Sequence, residues 1–131
     1  MLLDINDITY AIRGAVFEVN RVLGPGFLEK VYENALTIEL KSRGLNVENQ
    51  IPIRVVYKDK PIGDYIADML VEKKVIIEVK TVSKLDKIHE AQLLNYLKAT
   101  GIHLGLLVNF KRPKAEVKRM VLNMPEGNNN I

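Results

Sequence analysis

The stretch that most narrows what this chain can fold into is Ala67–Lys80, ADMLVEKKVIIEVK. Two runs rich in β-branched and aliphatic side chains flank a short polar turn, Glu72-Lys73-Lys74, which is the pattern of a β-hairpin. Ala67, Met69 and Val71 alternate with Ile66, Asp68 and Leu70, and Val75, Ile77 and Val79 with Ile76, Glu78 and Lys80. Successive side chains in a strand point to opposite faces, so Glu78 and Lys80 share a face. With a three-residue turn centred on Lys73, Asp68 stands directly opposite Glu78, with Cβ atoms roughly 4.5–5.5 Å apart. Two carboxylates and an ammonium then point to one spot on an otherwise apolar sheet.

Like charges placed opposite each other destabilise a sheet. A divalent cation held by oxygen ligands removes that cost, and Mg²⁺ is commonly held by one or two carboxylates together with water and substrate phosphate. The hairpin alone leaves a second reading standing beside this one, in which Asp68 and Glu78 are solvated residues on its exposed face. The chain has no cysteine and two histidines, so thiolate and most imidazole metal sites are excluded and any metal is expected to be a hard, oxygen-liganded one.

With 131 residues the chain has the size of one domain, read as residues 1–124 with a frayed tail, PEGNNNI, from Pro125. No apolar run is long enough to span a bilayer, and the N-terminal MLLDIND lacks a basic segment followed by an apolar one, so no membrane partner and a cytoplasmic location are expected. Net charge is +3, and the excess is uneven: residues 1–50 carry 5 basic and 7 acidic side chains, residues 51–131 carry 14 and 9. The positive half is the one with the hairpin, which suits a polyanionic partner.

Asp4–Leu23 has apolar residues at helical spacing, with Asp4 as N-cap and Gly24-Pro25-Gly26 as a stop. A second helix is expected from Phe27 to Arg43; Glu29 lies in its first turn, where the helix dipole favours a carboxylate. Asn46–Tyr57 reads as a strand placed at an edge by Pro52, and Ile62–Val71 as the next, with Gly63 a bulge candidate. Val75–Val82 is the third strand. Leu85–Thr100 is a helix whose wheel sets Leu93, Leu94 and Leu97 against His89, Gln92 and Tyr96. That polar side is read either as a cover for a polar site or as a partly exposed face with a snorkelling tyrosine. Leu104–Phe110 is a buried strand, and Val117, Met120 and Leu122 mark a last strand or short helix. The order gives an α/β (α+β) fold with a mixed sheet: an antiparallel three-stranded meander, a right-handed crossover helix to a parallel fourth strand, and flanking helices.

These residues together resemble the PD-(D/E)XK nuclease superfamily, whose core is restriction-endonuclease-like. Ala67-Asp68 stands at the "PD" position with alanine in place of proline, and Glu78-Val79-Lys80 at the (D/E)XK position. Gln92-Leu-Leu-Asn-Tyr96 matches the QxxxY motif of the exonuclease-like branch that includes lambda-type exonucleases. Gly26-Phe-Leu-Glu29-Lys-Val-Tyr32 matches the narrower GxxExxY family. The resemblance covers nearly the whole chain and implies roles. Asp68 and Glu78 would hold Mg²⁺ or Mn²⁺, with the Val79 carbonyl as a further ligand and Glu29 completing the shell. Lys80 would orient the attacking water, and Gln92 and Tyr96 would contact the phosphate backbone or brace the carboxylates. The expected activity is metal-dependent hydrolysis of phosphodiester bonds, in DNA before RNA. The alternatives from other classes are a non-catalytic nucleic-acid-binding module that keeps the fold, and an interaction component that mainly forms a homodimer.

Overall fold

A computed structural model describes residues 3–125. The helices are α1 (Ile5–Leu23), α2 (Glu29–Ser42) and α3 (Lys87–Thr100), and the strands are β1 (Val47–Tyr57), β2 (Lys60–Val71), β3 (Val75–Lys80), β4 (Leu104–Asn109) and β5 (Glu116–Val121). They form one five-stranded sheet in the order β1-β2-β3-β4-β5, antiparallel throughout except for the β3–β4 pair. The meander, the crossover through α3 and the parallel fourth strand stand as the sequence pattern predicts. The last apolar segment is a strand, antiparallel to β4; the expected tail lies largely outside the described residues. No helix among them is long and apolar enough to cross a membrane.

Each boundary has a local cause. The Asp4 carboxylate caps α1 by accepting the Asp7 N–H at 2.8 Å. The β1–β2 turn is shorter than the sequence suggests, two residues rather than four, because Lys58 and Asp59 both adopt left-handed backbone (φ +47° and +66°) and Tyr57 pairs directly with Lys60. The register of that pair skips a residue between Val55 and Val56, across from Gly63, where a bulge is expected. Helix α3 starts two residues later than its periodicity suggests, at a capping box in which Asp86 accepts from the α3 backbone and His89 Nδ1 accepts the Asp86 N–H.

Two apolar layers sandwich the sheet. Ile8, Ile12 and Val16 of α1 and Tyr32, Leu36 and Leu40 of α2 pack on one face with Met69, Val71, Ile77 and Leu106. Leu93, Tyr96 and Leu97 of α3 pack on the other with Ile76 and Leu107. Within β1 and β2 the side chains change layers partway along. Val47, Met69 and Val71 belong to the α1–α2 side, whereas Ile51, Ile53 and Ala67, which strict alternation would put with them, belong to the α3 side. The switch has a visible origin. Asn49 pairs with Met69 and Ile51 with Ala67, and between them Gln50 has φ +55°, a left-handed conformation that a non-glycine residue seldom takes inside a strand. The kink falls opposite Asp68.

Candidate active site

Strands β2 and β3 are paired at Val71–Val75, Leu70–Ile76 and Met69–Ile77. One step further that register places Asp68 opposite Glu78, where carboxylates replace the ladder. Glu78 Oε2 accepts the Asp68 N–H at 2.7 Å, and Asp68 Oδ2 accepts the Val79 N–H at 2.8 Å. Each acid thus spends one oxygen on the opposite backbone. Among the described residues Asp68 Oδ1 and Glu78 Oε1 have no hydrogen-bond partner, and neither is fully buried.

The electrostatics follow from this position. Glu78 is 4% exposed. Burial, and then the neighbouring Asp68, push its carboxyl up to about 8; the Asp68 amide and the Lys80 ammonium act in the opposite sense. Asp68 is raised as well, first by burial and then by Glu33 and Glu29, against the Val79 amide and Lys80. Tyr96 is held up to about 12 by burial and by the same two carboxylates, which places its hydroxyl in their field.

Glu29 arrives from α2, and the motif around it has a structural explanation. Gly26 has φ +113°, a backbone that favours glycine. Tyr32 is fully buried, stacks on Phe110 at 4.6 Å, donates its hydroxyl to the Gly24 carbonyl and accepts the Phe27 N–H. Glycine and tyrosine therefore pin the loop that precedes α2 and fix where Glu29 stands. Its Oε2 accepts the Thr81 N–H at 3.1 Å, just beyond Lys80. Across the sheet, the buried Asn109 holds both the N–H and the carbonyl of Val82, so the chain leaving Lys80 is clamped on that side too.

Glu29, Asp68 and Val79 line a small cavity of about 220 Å³, together with three residues not expected from the sequence, Lys30, Glu33 and Gln50. Glu33 is 5% exposed and is bonded by Gln50 Nε2, Asn49 Nδ2 and Lys30. Its only signal in the sequence is its place one helical turn after Glu29. Gln50 carries none, because nothing in a strand pattern marks a left-handed residue. Gln92 lines a groove beside Tyr96 and makes no hydrogen bond to either carboxylate; Tyr96 packs in the same cluster as Leu93 and Leu97 rather than on an opposed face.

The donor set is all oxygen, with Glu78 buried, Asp68 half-buried and Glu29 exposed, and with a carboxylate oxygen left over on each of Asp68 and Glu78, which suits a hard divalent cation. Among the described residues no three acidic or histidine side chains form a ready-made cluster, and Asp68, Glu78 and Glu29 each engage a backbone amide.

The crystal structure of SSO0001 is similar in fold, with a TM-score of 0.57 at 21% identity over 74% of this chain; the chain spans about half (51%) of that protein's length. No curated protein matches the sequence. The pattern of the PD-(D/E)XK nuclease superfamily matches residues 6–120, which takes in both carboxylates, Lys80, α2 and α3. The chain belongs to the PD-(D/E)XK nuclease superfamily.

Proposed function

We propose that this protein is a metal-dependent nuclease that hydrolyses phosphodiester bonds in DNA, and that it falls in the GxxExxY group of its superfamily. The observation that carries this is the pairing of half-buried Asp68 with buried Glu78, both raised in pKa and flanked by Lys80. Such a pair costs stability unless a cation is there to use it. Asp68 Oδ1, Glu78 Oε1 and the Val79 carbonyl would hold Mg²⁺ or Mn²⁺, with Glu29 joining them or holding a water. The chemistry such an ion supplies when bound is polarisation of a phosphoryl oxygen and acidification of water.

The remaining work falls to the chain. Lys80 Nζ orients the attacking water and offsets charge on the phosphate as its oxygen bonds to phosphorus. The attacking water gives up one proton to solvent, the bond from phosphorus to the leaving sugar oxygen breaks, and that oxygen takes up a proton from solvent. Tyr96 and Gln92 border the phosphate path from α3. The test is cleavage of DNA offered as a single strand, a linear duplex and a plasmid, with cutting of any one of them counting. Cutting is expected in Mg²⁺ or Mn²⁺, and is expected to be lost in chelator and to fall at least ~100-fold in Lys80→Ala, the order typical for loss of a group that orients or activates the reacting water. Binding should weaken steeply with salt as basic side chains such as Lys84, Lys87, Lys111, Arg112 and Lys114 release counterions from phosphates. A specific observation favours a second reading, a nucleic-acid-binding module that does not cut: all three acids are engaged by backbone amides. Salt-dependent binding without cleavage in any metal would select it.

A further inference from the structure

A second recess, of about 780 Å³, opens between the β1–β2 hairpin and α3. Arg54 and Lys98 bring positive charge, Tyr65 and Tyr96 bring rings, and Gln92 and Asn95 bring carboxamides. Among the described residues no carboxylate lines it. Asp64 pairs with Arg54 at 3.3 Å, but both ends of that pair are largely exposed, so water screens it and a phosphate can replace the partner. Val56 and Ile88 add exposed apolar surface along the groove.

The tyrosines join this groove to the carboxylates. Tyr65 is about half exposed (49%), and its ring centroid lies 6.1 Å from that of Tyr96 at a tilt of 50°. Tyr96 is nearly buried and packs in one cluster with Ala67, the neighbour of Asp68 in β2, and with Ile76 of β3. One end of the groove is therefore an open aromatic face with cations beside it, and Tyr96 leads from it to the stretch of β2 that carries Asp68. Bases in a duplex hide their faces against one another. An unpaired base offers a π-face to a tyrosine and its edge to an amide, while its phosphate meets a cation.

We propose that the groove binds unpaired nucleotides, with a base stacked on Tyr65 and flanking phosphates held by Arg54 and Lys98, so that the substrate is single-stranded nucleic acid. The proposal takes the neighbouring carboxylate site to be the nuclease site argued above. It is tested by fluorescence anisotropy of the full chain in chelator with three labelled ligands: a short single strand, the matching blunt duplex, and a chain of the same length lacking bases. The single strand is expected to bind at least ~10-fold tighter than the duplex. Tyr65→Leu is expected to weaken it ~10-fold, the order of one lost stacked base, and Tyr65→Phe to restore it. The chain without bases should bind parent and Tyr65→Leu alike. A 2-aminopurine in the single strand should be quenched by the parent and by Tyr65→Phe and stay bright with Tyr65→Leu. Equal affinity for single strand and duplex, unchanged in Tyr65→Leu, overturns the proposal; if DNA is still cut, the nuclease reading stands without it. A dimer that Tyr65→Leu dissociates assigns the groove to a second copy of the chain and also overturns it. Absence of both binding and cleavage for every nucleic acid in every metal removes both readings.

Discussion

Glu78 shows how a single side chain can set the pH response of the whole molecule. Its carboxyl is pushed from an ordinary 4.5 to about 8 in the folded state, so between those values the folded chain holds a proton that the unfolded chain has released. Metal-free stability must then be highest below pH 4.5 as far as this group is concerned, fall as pH rises through the window, and level off above 8. The loss is on the order of 5 kcal/mol, since each unit is worth somewhat over 1 kcal/mol. In Glu78→Gln an amide oxygen can still accept the Asp68 N–H, and no charge is ever buried there. Denaturant curves in chelator at pH 5 and pH 8 are expected to show the parent losing stability with pH and the variant losing much less, so that the variant is the more stable at pH 8. Mg²⁺ should raise the parent at pH 8 and leave the variant where it is, because a ligand stabilises only the state it binds. Parallel losses in the two proteins would refute the assignment. The opposition of Asp68 and Glu78 could be read from the sequence because a three-residue turn fixes the register one residue at a time. The use of each carboxylate on the opposite backbone could not, since it depends on how β2 and β3 part beyond Met69 and Ile77.

Helix α3 is positioned by a close approach that no periodicity announces. A Cβ on Gly105 of β4 would lie 2.8–2.9 Å from three side-chain carbons of Leu93, including its branch carbon Cγ, so the helix rests on a strand that has no side chain to spare. Gly105→Ala is expected to cost about 1–3 kcal/mol, the usual range for overpacking, and to lift α3 with Tyr96 and Gln92 away from the sheet. Leu93→Ala removes the obstructing atoms. The double variant should therefore be destabilised by less than the two single changes added together, and melting curves of all four proteins measure the coupling. Strict additivity would mean that the helix is held elsewhere. The same packing explains the one misplaced side chain of this element. Leu93, Leu97, Gln92 and Tyr96 were correctly assigned to a helix by spacing. Yet Tyr96 shares the leucines' cluster because a helix lying over a twisted sheet buries a broader arc than a wheel with two faces allows.

At the scale of the molecule, the order of elements and the parallel β3–β4 pair were legible from apolar runs and the long crossover between them. The two-sided core was legible only in part, because the exchange of layers at Gln50 and Asp68 breaks the alternation on which such readings depend. That kink also bears on how copies of the chain meet one another. β1 is an outer strand of 11 residues, and an outer strand of that length is an open template for β-pairing between molecules. A left-handed residue at position 50 bends the template after its first three residues, and Pro52 removes a donor two positions later. Pro52→Val restores that donor, so aggregation on heating, followed by light scattering, is expected to begin at a lower temperature than in the parent, while stability to urea changes by less than about 1 kcal/mol. An unchanged onset would show that the bend at Gln50 suffices by itself. The residue that turns the sheet over opposite Asp68 would then also be what keeps the protein from recruiting its own copies into a shared sheet.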